Sequence, residues 1–268
     1  MRNWLTYWQL SRGRALHELS LSFDGAEEVS QCLNVAFVGA FSSGKSTLIN
    51  NLLGEVLAET HTNPTQSSWT RYVFSKTPFI RIQEDAKGDY RTIVELGRGE
   101  IFRRWFENES LGGHMPRAHE ITGAVIEVGL PHPRLKRGVV LHDSPGHDST
   151  AGDHRRLAEK ISKEADALLY LFPVDHIMSE ADVDFLKPRL KEGKPLACVV
   201  TKVGPIIEAP PKLLKLRSHI SEVLEDLGEC GDVPVLWAPE PMRGNFEIEK
   251  DVHQRVKLIW RQIEAWLS

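Results

Sequence analysis

Cysteine, charge of one sign and long apolar runs are all scarce in this chain of 268 residues. Its three cysteines, Cys32, Cys198 and Cys230, are odd in number and far apart. They make neither a disulfide framework nor a zinc pattern, so a reducing, cytoplasmic setting is expected. The formal charge is only -4, from 33 basic and 37 acidic residues. That balance gives no general electrostatic pull toward nucleic acid or an anionic membrane. The longest apolar stretch, 167–174, falls well short of the ~20 residues that span a bilayer. Arg2, Arg12, Arg14, His17 and Glu18 interrupt the first twenty residues, which do not read as a signal peptide. There is no internal repeat, low-complexity tract or linker, so a single domain over 1–268 is expected.

What is present suits a globular domain: 41% apolar and 26% charged residues. At this length folding buries roughly three-quarters of the chain's surface, enough for a core without covalent staples. Residues 33–38 (LNVAFV) form a short apolar run closed by Gly39, the pattern of a strand buried on both faces. A helix is expected over 44–53, then a loop over 55–68 rich in Thr, Asn, Pro and His. Strand-like runs follow at 69–74, 79–83 and 90–96, a short helix around 101–106, and strands at 124–128 and 138–141. Beyond them helices at 155–164, 179–191 and 211–227 alternate with strands at 167–172, 196–200 and 233–236. Such alternation implies an α/β fold, a mostly parallel central sheet flanked by helices.

Both ends read as helices. Residues 1–20 carry Trp4, Leu5 and Trp8 on one face. Residues 247–267 carry Val252, Val256, Ile259, Trp260, Ile263, Trp266 and Leu267 at three- and four-residue steps. The flanking segments 1–30 and 245–268 are expected to pack together beside the sheet. Docking of the last helix on the sheet alone is the plainer alternative.

The chemistry concentrates after the first strand. Gly39-Ala-Phe-Ser-Ser-Gly44-Lys45-Ser46-Thr47 contains G-x-x-x-x-G-K-S, placed between a buried strand and a helix. Its glycines let main-chain amides wrap a polyphosphate, and the helix N-terminus adds favourable potential. Gly39, Ser42, Ser43, Gly44, Lys45, Ser46 and Thr47 are the phosphate-binding candidates. Lys45 is expected on the β- and γ-phosphates, and Ser46 on Mg²⁺. A second strand ends in Asp143-Ser-Pro-Gly146, a D-x-x-G. Asp143 is placed to hold Mg²⁺, and the Gly146 amide to sense the γ-phosphate. The loop 55–68 offers Thr60, Thr62, Thr65 and Ser67 as a switch hydroxyl. Thr65, after Pro64, is favoured for the metal and the attacking water, with Thr62 next. Hydroxyls satisfying turn backbone are the structural alternative. His147, next to Gly146, is a candidate to touch water or a partner domain; His142 is expected in the core or behind the metal residue.

Taken together these segments resemble the GTPase domain of the dynamin superfamily, bacterial dynamin-like proteins in particular. The matching stretches are VGAFSSGKSTLINNLLG (38–54), NPTQ (63–66), LHDSPGHDS (141–149), ADALLYLFPVD (165–175) and VVTK (199–202). The resemblance implies the P-loop NTPase fold with extra strands between the first switch and D-x-x-G. It implies Mg²⁺-dependent hydrolysis of GTP to GDP and phosphate, stimulated by a homodimer formed across the nucleotide faces. It puts Ser42 where the family meets a charge-compensating cation or the phosphates. Phe41 falls where eukaryotic members carry a catalytic Gln; a phenyl ring cannot orient water, which leaves that task to backbone and Thr65. It also implies that the terminal helices form a bundle leading to a membrane-binding stalk. No such stalk lies within these residues, so a larger dynamin-like partner and a peripheral membrane location both stay open.

The base-reading element departs from the family. The pattern [NT]-K-x-D reads here Thr201-Lys202-Val203-Gly204. Lys202 can lay its stem over a purine, but Gly204 has no carboxylate for guanine. That loss is worth on the order of 2–4 kcal/mol of selectivity, so ATP stands beside GTP as a ligand. Glu208 or Asp232 are possible substitutes, and Trp237 is expected to pack on the base. Two functions follow: an Mg²⁺-dependent nucleoside triphosphatase favouring GTP, or a nucleotide-gated module with negligible turnover that recruits a partner. Nucleic acid is not an expected partner.

Overall fold

Strands that are apolar on both faces need cover on both faces, and that requirement organises the chain. A computed structural model describes residues 32–54, 69–86, 89–97, 124–147, 152–204, 210–227, 233–238 and 246–267. The expected helices at 1–20 and 101–106 and the loop 55–68 lie outside these residues. In chain order the elements are β1 (Leu33–Gly39), α1 (Lys45–Leu53), β2 (Trp69–Phe74), β3 (Phe79–Ala86), β4 (Asp89–Gly97) and β5 (Ala124–Leu130). A single 3₁₀ turn (Leu135–Arg137) leads to β6 (Val139–Asp143), α2 (Gly152–Glu164), β7 (Ala167–Pro173) and α3 (Glu180–Lys191). β8 (Leu196–Thr201), α4 (Pro210–Asp226), β9 (Val235–Trp237) and α5 (Phe246–Ala265) complete the described chain.

The strands join in one sheet, ordered β4-β3-β5-β2-β6-β1-β7-β8-β9. β6, β1, β7, β8 and β9 run parallel. Their carboxyl ends therefore share one edge, where ligands of open α/β sheets bind. The three runs between loop 55–68 and D-x-x-G, with β5, extend the other side. β2 is antiparallel to β6 but parallel to β5, and β3 is antiparallel to both β5 and β4.

The two-residue period of the strands sorts their side chains into two cores. Val35, Phe37, Leu169, Leu171, Ala197 and Val199 face one side, with Leu48 and Ile49 of α1 and Ile259, Trp260 and Ile263 of α5. Ala36, Val38, Tyr170, Phe172, Cys198 and Val200 face the other, covered by residues of α2, α3 and α4. α5 thus buries the stripe read from its sequence against the sheet and α1. Trp260 Nε1 donates to the Leu52 carbonyl at 3.1 Å, satisfying an oxygen that the end of α1 leaves unpaired. Arg134 and Arg137 both reach Glu264, tying the turn before β6 to the same helix.

α3 starts with a capping box. The Ser179 hydroxyl accepts from the Asp182 amide, and the Asp182 carboxylate accepts from the Ser179 amide. The reciprocal bonds satisfy orphan donors at the helix start.

Candidate nucleotide site

β1 delivers the chain to Gly39, with φ of 153°. A Cβ there would lie 2.2 Å from the Leu171 carbonyl oxygen of β7, so only glycine fits. The loop turns through Ser42 (φ 57°) and Gly44 (φ 88°) into α1. Ser42 is exposed, and its left-handed backbone costs about 1–2 kcal/mol in a residue with a Cβ. Such strain is typical of sites that present backbone to a ligand.

The loop's cation is buried. Lys45 Nζ donates to the Ala40 carbonyl at 2.7 Å, to the Gly39 carbonyl at 3.1 Å and to Ser43 Oγ at 3.3 Å. Ser43 is fully buried, while Thr47 is half-buried in the first turn of α1.

Asp143 closes β6 opposite Phe37 of β1. Its Oδ2 accepts from Ser46 Oγ at 2.7 Å. Its Oδ1 is buried with no hydrogen-bond partner among the described residues. Burial raises the carboxyl pKa to about 6, against the opposing pull of the Ser46 hydrogen bond and the Lys45 charge. A buried carboxylate oxygen without a donor, beside a serine hydroxyl, is a hard oxygen pair of the kind Mg²⁺ takes. The residues present fit that ion.

Three residues separate Asp143 from His147. Ser144 Oγ donates to the Phe37 carbonyl at 2.7 Å. A Cβ on Gly146 would lie 2.6 Å from Phe41 N and 2.7 Å from Phe41 Cα, so glycine lets this segment close onto the phosphate loop. His147 turns inward: 4% of its surface is exposed, and its ring stacks on Phe185 at 4.7 Å. It faces neither bulk water nor an open surface. His142 is buried behind Asp143. Its Nδ1 accepts from Trp69 Nε1 at 3.0 Å and its Nε2 donates to Asn34 Oδ1 at 3.0 Å. Asn34 in turn donates from its amide and side chain to Asp166. The relay runs from Trp69 of β2 to Asp166, just before β7, and the polar Asn34 in an otherwise apolar strand was the signal in the sequence that could have pointed to it.

The base-reading segment is stitched to the phosphate loop by Thr201, whose Oγ1 donates to the Ser43 carbonyl at 2.8 Å. Lys202 is exposed with φ of 55°, and Gly204 is exposed. Trp237 is half-buried and packs against the α2–α3–α4 core. Thr65, Glu208 and Asp232 lie outside the described residues. The structure therefore brings Gly39, Ser43, Gly44, Lys45, Ser46, Asp143, Gly146 and Thr201 to one end of the sheet.

This strand–loop–helix, with an acidic strand end beside it, defines a P-loop nucleotide-binding domain. The model of the Dynamin family matches residues 35–203, and the chain belongs to that family. It carries a GTPase domain of the dynamin type. The chain is 25% identical over 191 residues to Dynamin-like protein A of Bacillus subtilis, covering 71% of this chain and 15% of that protein. It is 25% identical over 189 residues to Dynamin-like protein 2 of Campylobacter jejuni, covering 70% of this chain and 27% of that one. An uncharacterized Caldicellulosiruptor protein, from the xynA 3' region, is 21% identical over 83% of this chain and 51% of its own length. The chain thus spans about half or less of these relatives. Its fold matches a chain of an oligomerised bacterial dynamin pair with a TM-score of 0.60 at 16% identity, over 87% of this chain and 40% of that one. Among the described residues no helix is long and apolar enough to cross a membrane.

Proposed function

We propose that this chain binds GTP with Mg²⁺ and hydrolyses its β–γ phosphoanhydride, as one domain over 1–268 with 1–30 and 245–268 as flanking helices. The buried, partnerless Oδ1 of Asp143 beside Ser46 carries the reading. Ser46 and Asp143, with Thr65, would hold Mg²⁺, which when bound neutralises charge on the β- and γ-phosphates. Lys45 would exchange its loop carbonyls for phosphate oxygens. The main-chain amides of residues 42–47 would cradle the β-phosphate, and the Gly146 amide would read the γ-phosphate. Phe41 supplies no polar atom to a water, so backbone and Thr65 would orient it. Lys202 and Trp237 would bound the base.

Lys45→Ala is expected to abolish nucleotide binding in calorimetry; unchanged affinity overturns the assignment. Turnover per molecule that rises steeply with protein concentration supports activation by a dimer across the nucleotide faces. The family relation and the oligomerised neighbour support such pairing, and a peripheral membrane role goes with it. Phe41 and Gly204 favour a second reading, a GTP- or ATP-gated module that recruits a larger dynamin-like partner. A flat, near-zero rate at all concentrations selects that module.

A further inference from the structure

Tyr170 is the one polar side chain in β7, and it is fully buried in the core beneath α2, α3 and α4. Its hydroxyl donates to Asp182 Oδ1 at 2.5 Å. A carboxylate accepts only, so the phenol hydrogen is spent there. The 2.7 Å contact between His147 Nε2 and Tyr170 Oη is therefore donated by the histidine. His147 Nε2 also lies 3.4 Å from Asp182 Oδ1. The other oxygen, Oδ2, accepts from Ser179 N at 2.9 Å and Ser179 Oγ at 2.7 Å. Burial alone would raise the Asp182 pKa; hydrogen bonds from His147, Tyr170 and Ser179 outweigh it and hold the carboxyl below its usual range. His147 is thus fastened to the start of α3 through a fully built polar network.

The segment this anchor restrains is short. Asp143 is fixed in β6, Ser144 is tied to Phe37, Pro145 has no N–H to give, and Gly146 rests on the Phe41 backbone. The His147 amide reaches the Gly39 carbonyl only at 3.4 Å, a long bond. The ring's 2.7 Å bond to Tyr170 is the shorter tie at the far end.

We propose that His147 is a positioning residue: held by Tyr170 and Asp182, it fixes the Gly146 amide where a γ-phosphate is read, and so sets the preference for nucleoside triphosphate over diphosphate. This rests on the nucleotide site proposed above. The ring's Nε2 proton is committed to Tyr170 and the side chain is buried, so Nε2 is not the atom that would take a proton from water. The Asp182 end of the network is the cap of α3, which makes that helix start the place where a shift of Gly146 would be felt.

Calorimetry with Mg²⁺, GDP and a non-hydrolysable GTP analogue tests this on the full chain. The unaltered protein should prefer the analogue. His147→Leu fills the same space without a donor; it should lose on the order of tenfold of that preference, the worth of one buried hydrogen bond. Its GDP affinity should be unchanged. His147→Gln, which keeps an N–H at similar reach, should retain most of the preference. Tyr170→Phe, nearly isosteric, should reproduce the leucine variant and serves if His147→Leu fails to fold. An unchanged ratio in both His147→Leu and Tyr170→Phe overturns the proposal, as does parallel loss of GDP and analogue binding. An unaltered chain that binds neither nucleotide overturns the underlying nucleotide reading instead.

Discussion

The two ends of the nucleotide site are built to different standards. At the phosphate end the ties are many: Lys45 to the Gly39 and Ala40 carbonyls, Ser46 to Asp143, Ser144 to β1, and Gly146 packed on Phe41. At the base end Thr201 is tied to the phosphate loop, while Lys202 and Gly204 are exposed and the segment Thr201-Lys202-Val203-Gly204 itself carries no carboxylate. Charge and close backbone approach grip a polyphosphate whatever base it carries. Selectivity for a base needs a directional partner, and a glycine supplies none. The contrast separates how tightly this chain would hold a nucleotide from how well it would tell one from another.

The strongest way to break that contrast acts on the metal. Asp143→Asn keeps the shape and the Ser46 contact but removes the charge facing the ion. Triphosphate affinity in Mg²⁺ is expected to fall about 100-fold, the upper range for residues governing a metal site. Titration in a chelator should bring the unaltered protein to the variant's level. Equal affinities with and without Mg²⁺ would show that the phosphate end works without the ion. GTP and ATP should lose alike, because the base end is untouched.

Gly204→Asp sharpens the other half. Restoring a carboxylate in the Thr201-Lys202-Val203 context should raise the preference for GTP over ATP by roughly 30-fold, about 2 kcal/mol from a charge-assisted pair. Competition binding reads this directly. If the unaltered chain already discriminates that strongly, another group reads guanine and the open appearance of this end is misleading.

What sequence made legible follows the same divide. The central strands are continuous apolar runs because parallel strands under two layers of helices are buried throughout, as in β8, where all six residues are buried. The phosphate loop announced itself because its glycines answer local backbone demands, such as the left-handed φ of 88° at Gly44. Partners set by tertiary contact left no such mark. Nothing adjacent to His147 predicts its burial on Phe185, since Tyr170 and Asp182 reach it from β7 and α3. Pattern also could not order β2, whose two neighbours run in opposite senses. Trp237 lies in a strand of three residues, too short for periodicity to show that it packs on the core.

Acid should erode the stability of the fold through His142. Burial first, then the Arg71 charge, lowers its pKa from 6.5 to about 3 despite the opposing effect of Asp166. Above pH 6.5 the ring is neutral in both the folded and the unfolded chain, so it makes no difference to stability. Between about 6.5 and 3 the unfolded chain binds a proton that the folded chain refuses. Stability then falls as pH falls, by at most ~1.4 kcal/mol per unit, or about 2 kcal/mol between pH 6.5 and 5. Denaturant titrations of the unaltered protein and His142→Gln over that range should differ in slope, the variant being flatter. Parallel slopes would remove His142 from the account.

The effect on nucleotide selectivity should be smallest for a contact behind the loop. α1 ends at Leu53, and Gly54, with φ of 74°, gives its amide to the Asn50 carbonyl. The Leu52 carbonyl is left to Trp260 Nε1, which crosses from α5. Trp260→Phe keeps an aromatic ring in the core but leaves that oxygen buried and unpaired. The cost should be about 1–3 kcal/mol, a lost hydrogen bond plus a smaller ring. Because α1 carries Lys45 and Ser46 at its other end, any loosening should reach the phosphates before the base. Denaturant midpoints should therefore drop while the GTP-to-ATP ratio holds. A change in that ratio would mean that the base end depends on α5, with the Thr201–Ser43 bond as the link between the two ends.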